Sequence, residues 1–201
     1  MTRRVVVFDY DGTLVDTFAA KQQAYARAVA DALGLGAGHR ALLEASYART
    51  SGANRFEQLA ETARELGREI TEAERAEFSR RFSAYNAEAA DAMPEFPSAR
   101  RVLRALARTY DLVLTSGMAQ DPLVQDATRR GLIGYFVRVD GGDKGRALER
   151  LRDEGRDIVM LVGDTPHDEA VAAEHGVAFY RITGDADLVR LAEVLGCPSA
   201  S

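Results

Sequence analysis

Two short runs of aliphatic residues constrain the fold of this chain more than any other feature of its sequence. Residues 5–8 read VVVF and residues 157–162 read DIVMLV, with almost no alternation between apolar and polar positions. Such runs are typical of strands that are covered on both faces, as in parallel sheets. Three further runs of similar length lie at residues 111–115, 135–139 and 177–182. We interpret all five as strands of one sheet.

Helical patterns separate these runs beyond residue 97. In residues 98–108, apolar side chains recur at the spacing of one helix face, with Ala99 followed by Val102, Leu103 and Leu106. Residues 121–131, 144–155 and 167–176 have the same rhythm. Strands that alternate with helices predict an α/β fold, a doubly wound (Rossmann-like) parallel sheet.

The segment between the first two strands breaks this alternation. It contains no convincing strand but four helical stretches, at residues 17–33, 40–49, 54–66 and 71–91. This is far more than one crossover requires, and two prolines in the MPEFP segment at residues 93–97 would end any helix there. We therefore predict an α/β core of residues 1–16 and 93–201, with an all-α cap domain inserted at residues 17–92.

Composition excludes several classes of partner. The net charge of −5 and the pI near 5.3 argue against nucleic acid as the main partner, which requires a basic surface. No apolar run approaches the roughly 18–20 residues that span a bilayer, so no membrane partner is expected. The single cysteine, Cys197, suits a cytoplasmic protein. A monomer and a homodimer are equally compatible with these data.

Polar residues cluster where the predicted strands end. In a parallel sheet, ligands bind beyond the carboxyl ends of the strands. The residues found at those ends and in the loops that follow them are Asp9, Asp11, Thr115, Ser116, Gly117, Lys144, Asp164 and Asp168.

The acidic members of this set predict a metal site. Asp9 and Asp11 are two residues apart on an extended chain, so their side chains face the same side. With Asp164 and Asp168 nearby, four carboxylates converge, and at least one would take up a proton unless a cation were present. Oxygen ligands with room for water and phosphate suit Mg²⁺, which we therefore predict as the cofactor.

This set of residues favours phosphoryl transfer, because it combines a metal site, several aspartates, a lysine and a threonine. We expect Asp9, ionised at neutral pH, to attack phosphorus, and Asp11 to protonate the leaving oxygen and later activate water. Thr115 and the amide groups of Ser116 and Gly117 would hold the phosphoryl oxygens, and Lys144 would neutralise the developing charge.

Gly12 completes this prediction. A glycine at this position lets the chain turn sharply and approach the phosphate closely.

These motifs resemble, in order and across the whole chain, those of the haloacid dehalogenase superfamily. They are DYDGTLVD at residues 9–16, the strand-end Thr115, Lys144, and GDTPHD at residues 163–168. The helical insert resembles the cap of the phosphoglycolate phosphatase-like and β-phosphoglucomutase-like members. The resemblance implies Mg²⁺ bound by Asp9, Asp164 and the backbone carbonyl of Asp11, with Asp168 supporting the metal or Lys144. One departure is Gly145, which follows Lys144 where many relatives have proline.

Two cap residues are candidates for substrate contact. Arg55 follows a glycine loop in TSGANRFEQL (50–59), at a position where some relatives hold a second anionic group. Lys21 lies near the start of the first cap helix, where the sugar-phosphate mutases of this family tend to carry histidine. For both side chains, solvent exposure is the competing interpretation.

The leading functional hypothesis is a Mg²⁺-dependent phosphatase that acts on a small phosphorylated metabolite through an aspartyl-phosphate. A sugar-phosphate mutase with the same nucleophile is the alternative, and Lys21 in place of histidine argues against it. A 2-haloacid dehalogenase would have no use for the metal site, and a phospho-receiver domain would have none for the helical insert. A catalytically silent binding module would not need Asp9, Asp11 and Asp164.

Overall fold

The computed structural model describes residues 4–51 and 53–197. The chain divides into two compact units, an α/β unit of Met1–Asp16 and Glu95–Ser201 and a helical unit of Thr17–Pro94. The division after Pro94 lies two residues beyond the expected boundary.

A five-stranded parallel sheet forms the centre of the α/β unit, as the sequence predicts. Its strands are β1 (Val5–Asp9), β2 (Asp111–Ser116), β3 (Arg138–Gly141), β4 (Ile158–Gly163) and β5 (Ala178–Arg181). Their order across the sheet is β3-β2-β1-β4-β5. The central strand β1 is buried at all five positions, which explains its uninterrupted apolar sequence. The aliphatic runs are therefore a consequence of helices covering both faces of the sheet.

Each strand of this sheet is followed along the chain by at least one helix. In the α/β unit these are α5 (Ala99–Leu106), α6 (Gln120–Arg129), α7 (Lys144–Asp153), α8 (Pro166–Glu174) and α9 (Asp185–Val194). The buried residues of α5 are those that the sequence placed on one face, Ala99, Val102, Leu103 and Leu106. The alternating α/β architecture is confirmed.

The third strand differs from the prediction, which placed it at residues 135–139. Ile133–Tyr135 form a short 3-10 turn, and pairing with β2 begins only at Arg138. The strand lies at the edge of the sheet and is half-buried, so its sequence, RVDG, is polar. Phe136 lies outside the strand, and its apolar ring packs against that of Phe8, with the centroids 6.4 Å apart.

The helical unit consists of α1 (Phe18–Leu33), α2 (Arg40–Thr50), α3 (Arg55–Glu65) and α4 (Glu72–Ala89). The Tyr25 ring lies at the centre of its core, 5.5 Å from Phe78 and 5.8 Å from Phe82. Capping boxes at Asn54 and Thr71 begin α3 and α4. The unit therefore has a hydrophobic core of its own.

Across the described residues, we find no helix that combines the length and the apolar character needed to cross a membrane.

Candidate active site

Asp9 is the last residue of β1 and is only 2% exposed. The loop that follows turns back on itself, because the amide groups of Leu14 and Val15 both donate to the carbonyl of Tyr10. This turn places the Thr13 hydroxyl where it donates a hydrogen bond to Asp9 Oδ2, at 3.2 Å. One oxygen of the candidate nucleophile is thus held by its own loop.

The neighbouring strand β2 brings two of the predicted residues next to Asp9. Thr115 is paired with Asp9 in the register of the sheet. The Thr115 hydroxyl is buried and has no hydrogen-bond partner among the described residues. Ser116 donates from its hydroxyl to Asp11 Oδ2 at 3.4 Å and accepts from the Met118 amide at 3.1 Å.

Gly117 follows directly after β2. No atom of the described residues lies within 4 Å of the position that a Cβ on this glycine would take. The side of Gly117 on which a side chain would lie is therefore open, and the binding of phosphate by its amide stays a prediction.

Lys144 reaches the site from the first turn of α7, which begins there because the Asp143 side chain caps the helix. Its ammonium group lies 2.6 Å from Asp9 Oδ1 and also donates to Asp168 Oδ1. The lysine is 8% exposed and therefore bridges two buried carboxylates. The predicted strand-end lysine and the aspartates are brought together, although glycine rather than proline follows the lysine.

Asp168 is held from both sides. Its Oδ1 accepts from Lys144, and its Oδ2 accepts from the Thr165 amide at 3.0 Å and the Thr165 hydroxyl at 2.6 Å. The Thr165 contacts are the capping box at the start of α8. Both carboxylate oxygens are therefore occupied by protein partners, which favours a role for Asp168 in holding Lys144.

Three carboxylates form a potential cation site. One oxygen each from Asp9, Asp164 and Asp168 lies within 4.8 Å of the others. The Asp11 side chain is not part of this group and instead accepts from Ser116. The expectation that four carboxylates converge therefore holds for three of them, and the role of the Asp11 backbone carbonyl stays a prediction.

Two glycines allow this close approach. A Cβ on Gly12, whose φ is +79°, would lie 2.1 Å from Asp164 Oδ2. A Cβ on Gly163 would lie 2.7 Å from the Asp168 side chain. Gly12 is therefore required by the approach of an aspartate, in addition to the phosphate contact expected from the sequence.

Burial raises the pKa of Asp9 to about 8, because the charged form loses its hydration. Lys144 opposes this effect. Three neighbouring carboxylates reinforce it, Asp168, Asp164 and Asp11. The expectation that Asp9 is ionised at neutral pH did not take this burial into account, and it stays a prediction for the site with a cation bound.

The other two residues of the ion-paired group, Lys144 and Asp168, favour their charged forms. Burial disfavours the Lys144 cation, but Asp9 and Asp168 outweigh this effect and raise the lysine pKa above its usual range. Burial likewise disfavours the Asp168 anion, but Lys144 and the Thr165 hydrogen bonds lower the pKa of this carboxyl group. Lys144 and Asp168 thus each favour the charged form of the other.

The donor set fits a divalent cation of the Mg²⁺ type. It consists of carboxylate oxygens, and no histidine or cysteine of the described residues belongs to it. A cation beside Asp9 would favour the charged carboxylate and so counteract the effect of burial.

The two cap candidates, Lys21 and Arg55, belong to the helical unit. Lys21 lies in the first turn of α1 and is half-buried. Arg55 begins α3 and donates to the hydroxyl groups of Ser79 and Ser83, at 3.4 and 2.9 Å. Gly52, in the loop before Arg55, lies outside the described residues.

Sequence reasoning missed two threonines of this site. Thr13 belongs to the DGT sequence that follows Asp9, and only the folded loop shows that it donates to that carboxylate. Thr165 had a readable signal, because TPHD has the spacing of a capping box. Both residues support an aspartate that the sequence had identified.

Comparison with known proteins agrees with this geometry. A model of the haloacid dehalogenase-like hydrolases matches residues 3–176. No curated protein matches the sequence.

Solved structures share the fold across nearly the whole chain. A predicted phosphoglycolate phosphatase from Haemophilus somnus superposes with a TM-score of 0.74 at 19% identity, covering 97% of this chain and 99% of its own. A proposed β-phosphoglucomutase from Thermotoga maritima gives 0.65 at 20% identity, covering 95% and 99%. A subfamily IA hydrolase from Geobacter sulfurreducens gives 0.60 at 20% identity, covering 94% and 96%.

Replacing Gly12 tests the cation site directly. In Gly12→Ala, the new methyl group would push Asp164 away, so we expect Mg²⁺ binding to weaken about tenfold or more. Isothermal titration with Mg²⁺ measures this change. Gly155→Ala is the matched control, because its φ is +68° and no described atom lies within 4 Å of its Cβ position. Unchanged affinity in the Gly12 variant would contradict the steric argument.

Proposed function

The chain belongs to the haloacid dehalogenase-like hydrolase family, and we propose that it is a Mg²⁺-dependent phosphatase that hydrolyses a small phosphomonoester through an aspartyl-phosphate. One observation carries the proposal: Asp9 is held at the end of β1, between Lys144 on one oxygen and Thr13 on the other. A carboxylate fixed in this way is a nucleophile in a defined orientation.

The first step of the proposed reaction forms an ester. A carboxylate oxygen of Asp9 attacks phosphorus, and the bond between phosphorus and the leaving oxygen breaks. Asp11, protonated at this stage, gives its proton to the leaving oxygen and releases the alcohol. Asp11 is better placed than Asp9 for exchange with solvent, because it is half-buried whereas Asp9 is fully buried.

The second step returns the enzyme to its starting state. Asp11, now a carboxylate, takes a proton from a water molecule, and the resulting hydroxide attacks the phosphorus of the aspartyl-phosphate. The phosphorus–oxygen bond to Asp9 breaks, and inorganic phosphate leaves. Asp11 is again protonated and Asp9 is again a carboxylate, so the proton count balances.

Three groups beside Asp9 would bind the phosphoryl oxygens. The Thr115 hydroxyl, buried without a partner among the described residues, is suited to donate to one of them. The amide groups of Ser116 and Gly117 would donate to another, and the Lys144 cation would stabilise the negative charge of the transition state.

Asp9, Asp164 and the Asp11 carbonyl would hold the Mg²⁺ ion. Bound there, the ion supplies positive charge to the transferring phosphoryl group. Asp168 would keep Lys144 in place, since its carboxylate already accepts from the lysine and from Thr165.

We propose that substrate selection involves Arg55 of the helical unit. Its guanidinium contacts the hydroxyl groups of Ser79 and Ser83 and the Phe82 ring, and no carboxylate of the described residues pairs with it. Its charge is therefore available for a second anionic group on the substrate, such as the carboxylate of phosphoglycolate. Lys21 is the second candidate for substrate contact from this unit.

The alternative is a sugar-phosphate mutase, in which the phosphoryl group returns from Asp9 to a sugar. The structural similarity to a proposed β-phosphoglucomutase favours it. Product analysis with a sugar phosphate distinguishes the two, because a mutase yields an isomer whereas a phosphatase yields inorganic phosphate.

Asp9→Asn should abolish phosphate release from p-nitrophenyl phosphate, because an amide cannot form the ester bond with phosphorus. Phosphate release with Mg²⁺ present is the measurement. Asp153→Asn, which changes an exposed aspartate of α7, is the matched control and should retain wild-type turnover. Turnover that persists in the Asp9 variant would refute the aspartyl-phosphate.

Removal of divalent cations should stop turnover reversibly. Treatment with a chelator at neutral pH leaves Asp9 without the charge that opposes its raised pKa, so less of the carboxylate is present. Phosphate release should return when Mg²⁺ is added in excess of the chelator. Full activity in the chelator would rule out the metal-dependent mechanism.

Arg55→Ala should raise the KM for phosphoglycolate about tenfold, the cost of one charge-assisted hydrogen bond. The KM for p-nitrophenyl phosphate, which has no second anionic group, should stay within twofold of the wild-type value. Arg64→Ala is the control on the same helix, because Arg64 is exposed and pairs with Glu61. Equal losses on both substrates would remove Arg55 from substrate selection.

A further inference from the structure

Arg181 is the last residue of β5, the strand that pairs with β4 at the edge of the sheet. In the sheet register it lies opposite Gly163, the residue directly before Asp164. Its Nη1 donates to the main-chain carbonyl of Asp164 at 2.7 Å. An arginine outside every motif found in the sequence thus contacts the peptide group of a candidate metal ligand.

The Arg181 guanidinium is itself held in place. Its Nη2 donates to Glu169 Oε2 at 2.6 Å, and Glu169 lies in the first turn of α8. The Arg181 side chain is 33% exposed, so this ion pair by itself contributes little to stability. Its effect is geometric, because it keeps the fork of the guanidinium directed at the loop between β4 and α8.

This loop has little freedom in its backbone. The carbonyl of Gly163 accepts from the Ile182 amide at 2.8 Å, and the next carbonyl, that of Asp164, accepts from Arg181. Two successive carbonyl groups are therefore anchored to the end of β5. Rotation of the Asp164 peptide would carry its side chain with it.

The Asp164 carboxylate is also closely surrounded by other residues of the site. Its Oδ2 lies so close to Gly12 that a single added carbon would be 2.1 Å away. The carboxylate is also one of the three that meet within 4.8 Å. A small displacement of the loop would therefore change the distances within the acidic group.

We propose that Arg181 is a positioning residue that holds Asp164 in the geometry needed to bind the divalent cation. This inference rests on the proposed function, because it assumes that Asp164 is a metal ligand. Arg181 acts through the Asp164 carbonyl and contacts neither metal nor substrate.

Electrostatics and positioning predict opposite effects when Arg181 is removed. Loss of a positive charge near a cation site would strengthen Mg²⁺ binding through the Coulomb interaction. Loss of the hydrogen bond that holds Asp164 would weaken Mg²⁺ binding, as substitutions behind metal ligands generally do, by about 10-fold or more. The sign of the change therefore separates the two roles.

The test is isothermal titration of the full chain with Mg²⁺. Arg181→Met, which keeps an extended side chain but removes charge and donors, should bind Mg²⁺ about tenfold more weakly than the wild type. Arg181→Lys, which keeps the charge and can donate to one carbonyl, should have a Mg²⁺ affinity closer to that of the wild type. If the methionine variant does not fold, Arg181→Gln takes its place.

Two variants serve as controls. Arg100→Met removes another arginine that donates to one main-chain carbonyl, that of Arg130, and pairs with one glutamate, Glu95. Glu169→Gln removes the negative charge, but its amide oxygen can still accept from Arg181 Nη2 and so keep the guanidinium directed at the Asp164 carbonyl. Both should bind Mg²⁺ within about twofold of the wild type.

Weaker binding confined to the Arg181 variants supports the proposal. Unchanged or tighter binding in Arg181→Met, or an equal loss in Arg100→Met, overturns it and leaves the proposed function intact. A wild-type protein that binds no Mg²⁺ overturns the proposed function and this inference together.

Discussion

A buried lysine between two buried aspartates organises the site. Lys144 contacts Asp9 and Asp168, and each of the three residues is at most 8% exposed. Buried charges are costly unless they are paired, so each member of this set makes the others tolerable. Asp168 is in turn fixed by the capping box that begins α8. The start of one helix and the end of the central strand are thus joined through a single ammonium group.

This arrangement leaves the site with an excess of negative charge. Lys144 balances one carboxylate, yet Asp9, Asp164 and Asp168 meet within 4.8 Å and Asp11 is nearby. The raised pKa of Asp9 is the consequence, because burial and neighbouring anions both disfavour its charge. In the proposed reaction, a bound cation and a dianionic phosphate would fit such a site as a pair, since the cation would stabilise both the Asp9 carboxylate and the phosphate. The crowded carboxylates that are unfavourable for the protein alone are the feature on which the proposed phosphoryl transfer depends.

Much of the fold was predictable from local sequence patterns. The four cap helices were expected at residues 17–33, 40–49, 54–66 and 71–91, and the observed helices α1 to α4 end within two residues of these bounds. The third strand was misplaced because Phe136 is apolar. Its ring packs against Phe8, and an apolar position in the sequence does not distinguish such packing from a position in a strand. The upward shift of the Asp9 pKa was not foreseen, for a related reason. Burial is a property of everything that surrounds a side chain, and no neighbouring residue in the sequence reports it.

The sequence by itself determined the parallel sheet, its helices, and which aspartates, lysine and threonine lie at the ends of strands or in the segments that follow them, because these depend on periodicity and on short motifs. Only the tertiary structure decided which of them touch. The contacts between Lys144 and Asp168, Gly12 and Asp164, and Arg181 and Asp164 join residues between 17 and 152 positions apart. They arise from strand order and register, which bring distant strand ends side by side. Chemistry that depends on distances of a few ångströms is set at that level, because local patterns carry no information about partners far away in the chain.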